Sequence, residues 1–414
     1  MSAPEASGPA LPGRAVLSLA VAQLVSWGTL YYAFALFIGP LEREQGWSRT
    51  EITGALTAGL LASALASPLA GRTIDRIGGR LPMACGSIAA SLLLLAWAAV
   101  DRLATFYLVW IGLGTAMAFV LYDAVFALLA RTLAGGYRRA VTLVTLVAGF
   151  ASTVFLPLAH LLIEQLGWRG ALVGLAALNL AIPGTVHLLV PRRLAPGPGS
   201  AARGSAARSA ADPAPVRRAA RGRAFWGILI AVVANAALFS AVTFHLVPLL
   251  SERGVALATI VAVAALIGPA QVAARLGLLA LERWLSLAAA ALLAATLPVG
   301  GTIVLALVGP RSPLLWIFPL LYGAGNGMMT IVRAAAIADL LGRSSFGAIN
   351  GAIALPALIG TAVAPVAAAK LWHLLGDYDG VLAALLALAV TSVAGLLWAT
   401  SARGPGAQTG ASGS

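Results

Sequence analysis

An all-α membrane protein, with twelve transmembrane helices in two pseudo-symmetric six-helix bundles, is the fold class this sequence predicts. Three observations carry it: apolar runs of about 20 residues recur along the whole chain, charges gather in the gaps between them, and the second half echoes the first. Of 414 residues, 60% are hydrophobic and 10% charged, with a mean hydropathy of +0.93. A folded soluble protein of this length has too much surface to cover with so few polar groups, so a bilayer is the natural solvent. Strand-type alternation is absent, and lipid satisfies no backbone group, which leaves helices.

The spans follow from the runs and the charges that end them. Span 1, 15–39, stops before Pro40, Glu42 and Glu44, and span 2, 50–71, runs into Arg72, Asp75, Arg76 and Arg80. Span 3, 81–100, ends at Asp101; span 4, 104–131, ends at Arg131, followed by Arg138 and Arg139. Span 5, 140–163, meets Glu164, and span 6, 169–190, opens into a basic stretch. In the second half the spans are 224–250, 256–281, 285–308, 313–340, 347–374 and 379–401.

Charge sets the expected sidedness. Arginines crowd alternate gaps, with eight of them between 191 and 223, while the opposite gaps carry Glu42, Glu44, Asp101, Glu164, Glu252, Asp377 and Asp379. By the positive-inside rule both termini and the central segment are cytoplasmic, which points to the plasma (inner) membrane. The net charge of +13 is then a topology signal, compatible with lipid headgroups, and not a nucleic-acid footprint. Residues 191–223, rich in Ala, Pro, Gly, Ser and Arg, read as a disordered linker between bundles 15–190 and 224–401, with tails 1–14 and 402–414. The first apolar run, about 25 residues, is too long for a cleavable signal peptide. A single cysteine, Cys85, excludes an internal disulfide and a cysteine-based metal cluster.

The halves match at an offset of about 210 residues: Asp75-Arg76 with Glu282-Arg283, "IGLGTAM" (111–117) with "YGAGNGM" (322–328), and Pro40 with Pro248. Between spans 2 and 3, "GRTIDRIGGR" (71–80) resembles the loop signature G-x-x-x-D-R-x-G-R-R of the major facilitator superfamily. Gly71, Asp75, Arg76, Gly78 and Arg80 match it; Gly79 stands where the family usually has Arg. The resemblance implies a secondary transporter, not an enzyme, with this motif as a cytoplasmic gate latch that breaks as the halves rock. Gly71 is expected to allow a close helix approach, and Asp75 to accept from cations or cap a neighbouring helix end. "GWSR" (46–49) and "GWR" (167–169) are similar to stretches of the monocarboxylate-transporter and oxalate/formate-exchanger branch.

Ionisable residues at membrane depth need a reason. Asp123 in span 4, Arg275 in span 8 and Arg333 in span 10 lie about 10 Å from their span midpoints, toward the cytoplasmic side. Arg275, in "GPAQVAAR", offers a planar fork that fits a carboxylate and resembles the span 8 arginine with which that branch holds its anion. The branch's Asp and Lys linked to proton coupling are replaced by Gln271 and Leu36. A structural pairing of Arg275 with a carbonyl stays open. Asp123 is either the proton carrier or a gate partner of Arg333 or Arg275. Arg333 is a second anchor or gate partner; Tyr32 and Asn326 are candidate contacts to a solute's polar end, or interhelical hydrogen bonds like those open to Tyr31, Asn235 and His245. Lys370, the chain's one lysine, is an anion ligand or an interfacial snorkelling residue.

His160, His187, His245 and His373 sit on four spans at no ligand spacing, so no metal site is expected. No G-x-x-x-x-G-K-[ST], hydrolase triad or dinucleotide fingerprint appears, and no cofactor is called for. The expected function is transport of a small organic solute, most simply a carboxylate anion, by alternating access between the bundles, with protons or a counter-anion as the coupling partner. Membrane lipids are the other expected partner, with no nucleic acid and no obligate protein. Two alternatives remain: efflux of an amphipathic or toxic compound, and a non-transporting membrane sensor on the same scaffold.

Overall fold

The computed structural model describes residues 13–133, 136–190, 214–281, 284–341 and 346–401, and among these every regular element is helical. Among the described residues, eleven stretches are long and apolar enough to cross a membrane. The fifth, Arg139–Leu189, is 51 residues long and supplies two crossings, because Gly167 (φ 68°, ψ 170°) turns the chain inside it. That backbone conformation is essentially restricted to glycine. The twelve predicted spans are thus all present as helix. Spans 5 and 6 are joined by a single residue rather than by the short loop expected.

The described chain forms two compact units. The first comprises the described residues of Met1–Ser205 with Thr243–Pro269 and Pro365–Lys370. Span 1 here is α1 (Gly13–Trp27), a π-helical turn (Gly28–Tyr32) and α2 (Phe34–Gln45). Span 2 is α3 (Arg49–Ile77), opened by a capping box in which Ser48 and Glu51 satisfy each other's backbone N–H. Span 3 is α4 (Arg80–Ala98). Span 4 is broken into α5 (Leu103–Val120) and α6 (Tyr122–Thr132), with Leu121 extended between them. Spans 5 and 6 are α7 (Tyr137–Ala148), α8 (Ala151–Asn179), a second π-helical turn (Leu180–Gly184) and α9 (Thr185–Leu189).

Close packing holds this unit together. A Cβ added at Gly114 on α5 would lie 1.7 Å from the carbonyl oxygen of Gly59 on α3, so the two backbones touch. Beside that contact Phe34, Trp97, Phe106 and Trp110 form an aromatic cluster with ring centroids 4.7–6.4 Å apart. Large apolar side chains such as Leu65 (84% exposed) cover the outside of the spans, as a helix solvated by lipid requires.

The second unit comprises the described residues of Ala206–Val242, Ala270–Ala364 and Leu371–Ser414. It draws on α10 (Ala214–Ala219), α11 (Arg223–Glu252), α12 (Leu257–Ala280), α13 (Leu287–Leu307), α14 (Ile317–Leu340, led in by a 3₁₀ turn at Pro313–Trp316), α15 (Phe346–Leu375) and α16 (Asp379–Thr400). Small residues of α13, Ala290, Ala291, Ala294 and Ala295, pack on Met328, Met329 and Val332 of α14. The far end of the predicted disordered linker is helical: α10 falls within 191–223, and Trp226 Nε1 donates to Ala220 O (2.7 Å) just after it. Runs of Ala and Arg are good helix formers, which explains the correction. Residues 191–213, Glu282-Arg283 and both tails up to 12 and from 402 lie outside the described residues.

Candidate functional site

In the first unit three features converge on the break in span 4. The extended Leu121 interrupts the helical ladder and exposes the end of α5. Gln23 of α1, 0% exposed, answers by donating its Nε2 to Val120 O. Its Oε1 is buried and, among the described residues, has no hydrogen-bond partner. Four residues along, one turn of the same helix, Trp27 packs 5.0 Å from Tyr122, 5.2 Å from Tyr31 and 6.4 Å from Tyr32. Tyr31 and Tyr32 lie in the π-helical turn, and Tyr122 stacks on Phe126 at 5.2 Å. Asp123 follows in the first turn of α6, exposed, where the helix N-terminus favours a negative charge. No hydrogen bond or ion pair reaches its carboxylate within the unit among the described residues.

Behind this wall lies a polar network that sequence reasoning missed. Thr29 Oγ1 donates to Val25 O (2.9 Å) and meets Asn179 Oδ1 at 3.3 Å; Asn179 Nδ2 donates to Ser87 O (3.2 Å) and Ser91 Oγ (3.0 Å). Ser87 Oγ in turn lies 2.8 Å from His187 Nδ1. Asn179 and His187 are fully buried. The network joins spans 1, 3 and 6 at the two π-helical turns, each of which frees backbone from the regular ladder. His187, which looks scattered among the histidines in sequence, is a structural member. His245 likewise bonds Pro365 O (2.8 Å).

The 71–80 motif lies at the arginine-rich end of this unit. Helix α3 stops at Ile77, Gly78 turns with φ 87°, and α4 starts at Arg80. Arg131, in the last turn of α6, donates Nη1 to Ile74 O (3.0 Å) and to Asp75 O, capping the carbonyl end of α3. Asp75 and Arg76 are exposed. The close approach expected at Gly71 is absent, since a Cβ there meets nothing within 4 Å. It occurs instead at Gly79, where a Cβ would sit 2.9 Å from Leu128. Arg131 carries a signal the sequence did show, a cation closing a helix, but topology alone had accounted for it. At the acidic end a 370 Å³ cavity is lined by Arg43, Arg49, His160 and Glu252, with the Arg49–Glu42 ion pair at 2.8 Å on its wall.

In the second unit the intramembrane cations are embedded among amides. Arg275, partly buried, donates Nε to Gly327 O (3.3 Å). One turn earlier Gln271 accepts from Asn326 Nδ2 (3.1 Å), and Arg333 donates Nη2 to Asn350 Oδ1 (3.0 Å). A Cβ at Gly327 would lie 2.4 Å from Gln271 O, so α12 and α14 touch here through backbone. Asn350 is a partner that sequence reasoning did not single out. Lys370, which belongs to the first unit, is exposed on α15. Among the described residues no group of three His, Cys, Asp or Glu could hold a metal ion.

Comparison with known proteins gives this geometry a family. Three solved structures share the fold at low sequence identity. A bacterial homologue of the human lysosomal transporter Spinster, inward-facing and occupied, has TM-score 0.67 and 13% identity over 95% of this chain and 96% of its own. The same homologue, unoccupied, gives 0.67 and 12% over 94% and 95%. A structure concerned with substrate recognition in proton-dependent oligopeptide transporters gives 0.66 and 14% over 94% and 99%. No curated protein matches. The sequence profile described as Major Facilitator Superfamily matches residues 17–365, and the chain belongs to that family.

Proposed function

We propose that this secondary transporter carries a small organic solute bearing a carboxylate, by alternating access, in a plasma membrane with the arginine-rich ends cytoplasmic. Membership of the family makes it a multi-pass membrane protein that moves small solutes. The observation that carries the substrate reading is the pair of partly buried guanidinium groups, Arg275 and Arg333, inside spans 8 and 10 with Gln271, Asn326 and Asn350 beside them. A guanidinium in hydrocarbon is costly and stays charged, and its planar fork suits a carboxylate. Protons or a counter-anion supply the coupling. The test is uptake of labelled mono- and dicarboxylates into liposomes holding the purified protein. Arg275→Ala is expected to lower uptake at least about tenfold, the scale of one lost charged hydrogen bond. Arg275→Lys should recover only part of it, because an ammonium lacks the fork. Full activity in Arg275→Ala would refute the carboxylate reading.

A further inference from the structure

We infer that the break in span 4 is a binding place for a protonated amine, a positively charged group that the Arg275 reading neither needs nor explains. A carboxylate, ring faces and a buried amide oxygen make the surroundings favourable to a cation. Asp123 supplies a carboxylate at the break, exposed and without a partner in its unit among the described residues. Trp27, Tyr31, Tyr32 and Tyr122 supply ring faces whose quadrupoles attract cations, gathered within 6.4 Å of Trp27. Gln23 supplies a second observation, independent of the carboxylate. Its Nε2 is fixed by Val120 O at the break, and the remaining oxygen is a buried acceptor with no donor among the described residues. An ammonium N–H is the donor that Gln23 Oε1 lacks among the described residues, and the Asp123 carboxylate favours a cation there over a carboxylate, although Trp27 Nε1 is also a buried donor without a partner among the described residues. Broken membrane helices place polar groups at depth without a continuous backbone ladder, which is where transporters build solute contacts.

The recognised chemistry is an alkylammonium attached to an apolar or aromatic body, since tilted rings accept both. The test uses the purified full-length protein in detergent and three probes of one shape: 2-phenylethylammonium, 2-phenylethanol and phenylacetate, with affinities from calorimetric titration. The ammonium is expected to bind at least about tenfold more tightly than the alcohol. Asp123→Asn, an isosteric change at an exposed position, should remove most of that advantage. Tyr122→Phe keeps the ring face and should retain ammonium affinity within about threefold, whereas Tyr122→Leu should lose about tenfold. Equal affinities for ammonium and alcohol, no ammonium binding, or an Asp123→Asn protein that still prefers the ammonium would each overturn the inference. Phenylacetate separates it from the carboxylate reading: its binding should respond to Arg275→Ala and not to Asp123→Asn, so either reading can fail alone.

Discussion

Span 4 and span 10 carry the same glycine-rich stretch 211 residues apart (322 − 111), yet span 4 is broken and span 10 is one continuous helix. Both use the stretch to bring backbones together. Gly114 meets Gly59 on span 2, and Gly327, two residues past Gly114's counterpart Gly325 (114 + 211), meets Gln271 on span 8. Beyond the glycines they diverge. The counterpart of Leu121 is Val332 (121 + 211), which is helical; Tyr122 and Asp123 correspond to Arg333 and Ala334. One helix therefore presents an aromatic ring and a carboxylate where the other presents a guanidinium. The carbonyl freed at the break is met from off the helix, by Gln23 of span 1. Aligning spans 1 and 7 on Pro40 and Pro248 (offset 208) puts Ala231 at Gln23's place, so span 7 has no amide at that position, and its Asn235 lies one turn further on. Shared small residues bring the same kind of backbone contact; at the break a polar side chain on a neighbour satisfies the carbonyl that the ladder gives up.

The largest expected effect tests the shared part of the comparison. Gly114→Leu and Gly327→Leu each drive a side chain into facing backbone, and both should cost about 3 kcal/mol or more, at the top of the range for overpacking. Unfolding of the purified variants in mixed micelles measures this, and native stability in either would show that the contact is not the rigid one described. A middle-sized effect tests the divergent part. Gln23→Leu removes the donor at Val120 O and should cost about 2 kcal/mol, because no water replaces it in the interior. Gln271→Leu takes only a partner from half-buried Asn326 and should cost about 1 kcal/mol. Equal losses in the same unfolding assay would erase the distinction between a capped break and an ordinary interhelical bond. The smallest effect has the opposite sign: Gly71→Ala fills open space on α3 and should stabilise by about 0.5–1 kcal/mol through helix propensity. A destabilised Gly71→Ala protein would restore the close approach that the motif suggested.

The spans were legible because membrane helices announce themselves by length and apolarity, and those properties are local. Arg275 and Arg333 were legible as costly charges for the same reason. The break at Leu121 was not, since "FVLYDAV" holds no Gly or Pro and the side chain that satisfies the freed carbonyl, Gln23, is about a hundred residues away. The Thr29–Asn179–Ser91–Ser87–His187 chain was hidden likewise, because its members are small polar residues whose meaning comes from pairing across three spans. Arg131 was visible as a charge, but its role as a cap on α3 required knowing that α6 ends beside Ile74.

Gly167 has a mechanical consequence. With one residue of glycine-only backbone as their whole connection, spans 5 and 6 have no slack. A tug on the end of one is delivered to the other as torque about a stiff elbow. The pair must swing as a bent crank, and an insertion at 167 would uncouple its arms.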